Sequence, residues 1–232
     1  MDRKLVMACL IISIFATTGC FVPAAHAEKN IYLTFDMDMN GSMYTKTLAT
    51  EKKWYDPDLF TYLEQKNIPA AFFASGLFIV AYPELIKDLA ATGEFSFENH
   101  SYDESSFIPH CYWLATLQSN EEKITQIAET EAIIKQTTGQ TATYFRFPGI
   151  CHNAENDTLV KSLGYTINDG SIIAGDPFNS STTAMVANIL AKATDGGTVL
   201  MHVGGPNAPK SLDVLEQIVP VLEAEGYEFK KL

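Results

Sequence analysis

The chain has 232 residues, 47% of them hydrophobic and 19% charged, with a formal net charge of −12. That balance excludes a disordered chain and fits a single domain with a sizeable core. The excess of acid disfavours nucleic acid and anionic membrane surfaces as partners.

Arg3 and Lys4 give the N-terminus a basic start, and residues 5–16 are almost wholly apolar. The run has the length of a signal h-region and is too short to span a membrane. Pro23 breaks any helix, and Ala25-His26-Ala27 is an A-x-A cleavage pattern. These features predict a signal peptide over residues 1–27 and an exported domain over 28–232, periplasmic or secreted, with no transmembrane span. A competing reading takes Thr17-Thr18-Gly19-Cys20 as a lipoprotein site, with attachment through Cys20. Cleavage after Ala27 removes one net positive charge and leaves −13. Of the four cysteines, Cys111 and Cys151 lie beyond this segment. In an exported protein they are best read as one disulfide. Free thiols, or metal ligation by His110-Cys111 and Cys151-His152, are the alternatives.

The first strand is predicted at the apolar run Ile31, Tyr32, Leu33 and Phe35, which ends in Asp36 and Asp38. Residues two apart in a strand point to one side, so the two acids share a face. Such a pair suits a metal ligand beside a general base; the plainer reading is that both cap the turn at Asn40-Gly41. A long loop is expected over 39–54, then a helix over 56–67 with Asp56 as N-cap and Pro57 first. A short strand at 70–74, a helix at 83–91 and a strand at 95–97 running into His100 follow. An aromatic-rich loop holding Cys111 covers 101–119, a length that points to function. Beyond it come a helix to Gln136, a strand at 144–147, a helix at 156–163 and a less distinct strand within 165–173. The chain closes with a helix at 181–193, a strand at 198–201 ending at His202, a helix at 211–224 and a strand at 227–230.

Strand and helix thus alternate six or seven times, which predicts an α/β domain, a parallel barrel or an open sheet. In both, sites form beyond the C-terminal strand ends. Asp36, Asp38, His100, Arg146, Asp176 and His202 all fall there. Each alone has a dull explanation; together they suggest metal-assisted hydrolysis, with a carboxylate base and a histidine acid.

Four short motifs then make the chain familiar. They are Thr34-Phe35-Asp36-Met37-Asp38, His100-Ser101-Tyr102-Asp103-Glu104, Arg146-Phe147-Pro148-Gly149 and Leu200-Met201-His202. In order and spacing, from about residue 30 to 232, the chain resembles the polysaccharide deacetylases, the fourth carbohydrate esterase family. The resemblance implies a distorted, incomplete (β/α) barrel of about seven strands in a single domain. It implies Asp36 as general base, Arg146 holding and tuning it, His202 as general acid and Asp176 orienting His202. Asp38 and His100 would bind a divalent metal, usually zinc. The substrate would be an acetylated polysaccharide or oligosaccharide, and the Cys111–Cys151 bond would brace two walls of the site.

Three positions depart from the family pattern. Glu104 stands where the second metal-binding histidine is usual, so the ligand set becomes Asp38, His100 and Glu104, with His110 as an alternative donor from the long loop. Gly149 and Ile150 replace the usual aromatic and glycine of the third motif, and no Trp-Asp pair appears around Gly170-Ser171. Two further readings therefore stand beside the deacetylase. One is a non-catalytic glycan-binding relative with a degraded metal site. The other is an envelope interaction protein using the aromatic loop at 107–113.

Overall fold

The computed structural model describes residues 28–232, so the expectations of a signal peptide and of lipidation at Cys20 lie outside the described residues. Elements run in the order β1 (Lys29–Met37), α1 (Gly41–Thr50), α2 (Pro57–Lys66), β2 (Ala70–Ala74), α3 (Gly76–Ala81), α4 (Pro83–Ala91) and β3 (Phe95–Asn99). Next come α5 (Asn120–Thr138), β4 (Tyr144–Phe145), α6 (Ala154–Ser162), β5 (Thr166–Ile167) and β6 (Ile172–Ile173). The chain ends in α7 (Thr182–Lys192), β7 (Gly197–His202), α8 (Ser211–Ala224) and β8 (Tyr227–Phe229).

Seven strands form one parallel sheet in the order β5-β4-β3-β2-β1-β7-β6, and β8 pairs with the start of β1. The sheet curls into an incomplete (β/α) barrel, a single domain. β1 is its centre: Ile31, Leu33, Phe35 and Met37 on one face enter the main hydrophobic core, whereas Thr34 and Asp36 on the other face turn to Arg146. Phe35, Phe72, Phe95 and Phe97 are fully or almost fully buried there, with ring centroids 5.2–5.7 Å apart. The register sets Asp36 opposite Phe73 of β2 and His202 of β7. The C-terminal ends of β1, β2, β3 and β7 therefore open onto one surface.

Helix ends follow local chemistry. Asp56 caps α2 with Pro57 in its first turn, and Ser119 and Glu122 form a reciprocal capping box on α5. Two helices are absent from the sequence reading. α1 occupies most of the expected 39–54 loop; Asn40 is its N-cap, accepting from the Met43 amide, rather than part of a turn. Only Met43 and Thr47 of α1 are buried, so it shows almost no apolar periodicity. α3 continues the apolar run of β2 after one serine, and nothing in the composition separates strand from helix.

The strand expected within 165–173 is two strands, β5 and β6, at opposite edges of the sheet. Asn168 bends the chain between them by accepting from the Gly170 amide. Gly170 has φ +72°, and a Cβ there would meet Leu200 at 2.8 Å, so glycine lets this turn press on β7. Among the described residues, no helix is long and apolar enough to cross a membrane.

Candidate active site

Asp36, Asp38, His100, Glu104, Arg146, Asp176 and His202 come together at the C-terminal strand ends. Arg146, fully buried after β4, is fixed on every side. Its Nε donates to the Asn168 carbonyl at 2.7 Å, and Nη1 donates to Asp36 Oδ1 at 2.5 Å. Nη2 donates to Thr34 Oγ1 at 2.8 Å, and the guanidinium lies 3.8 Å from the centre of the Phe73 ring. One oxygen of Asp36 is thus held, while Oδ2 faces the histidine side of the site, 3.9 Å from His100 Nε2.

His100 directly follows β3. Its Nδ1 lies 2.8 Å from the Arg146 carbonyl, an oxygen that only accepts, so Nδ1 carries hydrogen. In the neutral ring, that leaves the Nε2 lone pair free. Nε2 lies 3.4 Å from Asp38 Oδ1 and 3.5 Å from Glu104 Oε1. Both of these buried oxygens lack any hydrogen-bond partner. Ligand atoms of Asp36, Asp38 and His100 all lie within 4.8 Å of one another.

Glu104 owes its inward direction to a tight turn. Ser101 and Glu104 both have positive φ, 65° and 64°, and Ser105 donates its amide to Asp103. Gln126 on α5 fastens this turn: its Oε1 accepts from the Ser101 hydroxyl and from the Tyr102 and Asp103 amides. Nothing in the sequence pattern marked Gln126 or Asn168; their partners are 22 to 25 residues away. His110 is exposed on the loop surface and does not join the cluster.

On the other side, His202 donates from Nδ1 to Asp176 Oδ1 at 2.9 Å. Asp176 Oδ2 accepts the His202 amide and the Ser211 hydroxyl, both at 2.7 Å. His202 Nε2 faces Asp38 Oδ2 at 3.3 Å. Burial opposes a charge on His202, but Asp176 and Asp38 raise its pKa well above the usual value. Burial likewise opposes charge on His100, yet Glu104, Asp36 and Asp38 push it up to about 9. Burial also disfavours the charged form of Asp38, but His202 and His100 hold its pKa below the ordinary range. Burial and the Asp38 charge raise Glu104 well above a normal carboxyl. The upward shifts of His100, His202 and Glu104 all favour bound protons, which offset the crowded carboxylates. A divalent cation would take the place of those protons, because it reverses the local electrostatics. Two orphaned oxygens and one correctly oriented imidazole fit such an ion.

The structure joins Cys111 to Cys151 through a disulfide, linking the loop after β3 to the segment after β4. Phe107 of the expected interaction loop is buried, whereas Tyr112 and Trp113 are exposed.

Residues 24–168 match the family model for polysaccharide deacetylase. The chain is 29% identical over 208 residues to peptidoglycan-N-acetylglucosamine deacetylase PgdA of Listeria monocytogenes, covering 90% of this chain and 39% of that protein. It thus spans well under half the length of that relative. It is 26% identical to a peptidoglycan-N-acetylglucosamine deacetylase of Bacillus cereus, covering 92% of this chain and 75% of that one. Among solved structures, the Bc1960 peptidoglycan N-acetylglucosamine deacetylase superposes with a TM-score of 0.74 at 23% identity, over 88% of this chain and 86% of that one. The pseudoenzyme BA3943 of Bacillus anthracis superposes with a TM-score of 0.69 at 18% identity, over 87% and 63%. At these identities the two structures speak to the fold.

Proposed function

The chain belongs to the polysaccharide deacetylase family, and from that premise we propose that it is an exported, metal-dependent deacetylase that hydrolyses acetyl groups on a sugar polymer. The observation that carries this reading is the convergence of His100 Nε2 with the partnerless oxygens of Asp38 and Glu104, beside an Asp36 clamped by Arg146.

Asp38, His100 and Glu104 would hold the metal, with zinc the proposed ion. When bound, it supplies Lewis acidity to the acetyl carbonyl and to water. Asp36 takes the proton from the attacking water as the new C–O bond forms. Arg146 keeps Asp36 in position by donating to Oδ1, leaving Oδ2 for that proton. His202 carries a proton on Nε2 and gives it to the departing nitrogen or oxygen of the sugar as the acyl bond breaks. Asp176 fixes the ring by accepting from Nδ1. The products are acetate and a free amine or hydroxyl.

The substrate class, an acetylated glycan such as peptidoglycan or a chitin-like polymer, follows the activities of the relatives. The test is metal content of the purified protein, wild type beside Glu104→Ala and Glu104→His, read together with acetate release from an acetylated oligosaccharide. Stoichiometric zinc in wild type, lost in the alanine variant, with acetate released, supports the reading. No metal in wild type, with metal and activity gained in the histidine variant, turns it into the glycan-binding relative.

A further inference from the structure

Three large aromatic side chains stand in solvent at the rim of this same surface. Tyr112 is 60% exposed, Trp113 76% and Phe178 63%. They touch one another: Tyr112 stacks on Phe178 with centroids 5.3 Å apart, and Trp113 meets both rings edge-on at 5.8 and 6.0 Å. Tyr112 and Trp113 come from the loop after β3, Phe178 from the loop after β6. Isolated exposed rings need no explanation, but a cluster assembled from two distant loops does.

The backbone beneath the cluster is strained. Tyr112 has φ 50° and His110 φ 63°, and a bulky side chain in the left-handed region is an outlier that its surroundings must hold. The disulfide to Cys151 holds this one. Gly149 faces it, and a Cβ there would meet Cys111 Sγ at 2.7 Å and the Tyr112 ring at 3.1 Å. Tyr112 thus occupies the space in front of the third motif, where Gly149 carries no side chain.

The cluster adjoins the site on two sides. Phe178 lies two residues beyond Asp176, the partner of His202. Trp113 shares with Glu104, Asn40 and Gly41 the lining of a cavity of about 300 Å³. The rings offer flat apolar faces on an acidic protein, which disfavours an anionic polymer. A pyranose in a β-linked glycan presents a face of C–H bonds, whose partial positive charge suits the negative face of an aromatic ring. We propose that Tyr112, Trp113 and Phe178 form a stacking subsite for the sugar rings that flank the acetylated residue of a neutral glycan. This subsite rests on the deacetylase reading for its ligand class.

The test titrates the metal-loaded protein with a soluble N-acetylglucosamine pentamer, by calorimetry and tryptophan fluorescence. Tyr112→Ala, Trp113→Ala and Phe178→Ala should each weaken binding about three- to tenfold. Trp113→Phe, which keeps a ring, should retain most of the affinity. Leu48→Ala, at an exposed position of α1, should leave the affinity as in wild type. Equal affinity in all three alanine variants, or no binding of the pentamer by wild type, overturns the subsite. Wild-type binding to neutral phospholipid vesicles through Trp113, without pentamer binding, overturns it in favour of a membrane partner. Acetate release is read separately. Pentamer bound through the rings with no acetate released keeps the subsite and removes the deacetylase; acetate released with unaltered affinities does the reverse.

Discussion

His152 and His100 both sit among carboxylates, and they differ in what is left over. His152 is spent: Nδ1 lies 2.5 Å from Asp157 Oδ1, Nε2 lies 3.0 Å from Asp169 Oδ2, and the ring stacks on Phe147 at 4.5 Å. His100 uses one nitrogen on a backbone carbonyl and turns the other toward oxygens that have no partner. Asp169 also leaves one oxygen unpaired, but near His100 two such oxygens lie within 3.5 Å of the same nitrogen. Residue types alone do not separate the two clusters. Unsatisfied acceptors converging on a free lone pair mark a place for a cation; a fully bonded ring marks a brace.

That contrast can be broken most sharply at the chemistry. Asp36→Asn should lower turnover by about 10²- to 10⁴-fold while metal content stays as in wild type. Retained turnover in a steady-state acetate assay would take the base role from Asp36. Glu104→Ala should weaken metal binding by at least about 100-fold in a chelator competition, because removing a direct ligand costs more than removing its support. Undiminished affinity would make Glu104 a bystander.

The bracing region should answer in stability instead. Reducing the Cys111–Cys151 bond, or replacing both residues with serine, should cost about 2–4 kcal/mol in denaturant unfolding. His152→Ala should cost about 1 kcal/mol, since its contacts to Asp157 and Asp169 are partly solvated, with metal content unchanged. Loss of metal in this variant would mean that the two clusters are not separate.

The smallest effect concerns a third kind of buried acid. Glu98 Oε2 accepts from the Thr143 and Tyr144 amides, both at 2.8 Å, yet burial still raises its pKa. The folded protein then holds this proton to higher pH than the unfolded chain does. Between the ordinary value of 4.5 and the raised one, stability falls as pH rises. Glu98→Gln should therefore gain stability relative to wild type across that window, and parallel pH profiles would assign the acid no cost.

Much of this was legible in the chain. Alternation of apolar runs with capped, periodic segments identified the parallel α/β class, and the acids, histidines and arginine expected at strand ends do gather on one face, that of the candidate site. Both signals are local, set by side-chain period and by turn chemistry within a few residues. The short elements were not legible. β5 and β6 are two residues each, their apolar content reads as one strand, and only their pairing with β4 and β7 separates them. The same holds within the site. Sequence placed Glu104 four residues after His100, but its direction depends on Gln126 and two left-handed residues. The exposed cluster of Tyr112, Trp113 and Phe178 likewise exists only because the fold brings two loops together. Local chemistry chose the elements and the reactive groups; tertiary packing chose which of those groups were left unsatisfied, because a polar atom's partners come from anywhere in the chain.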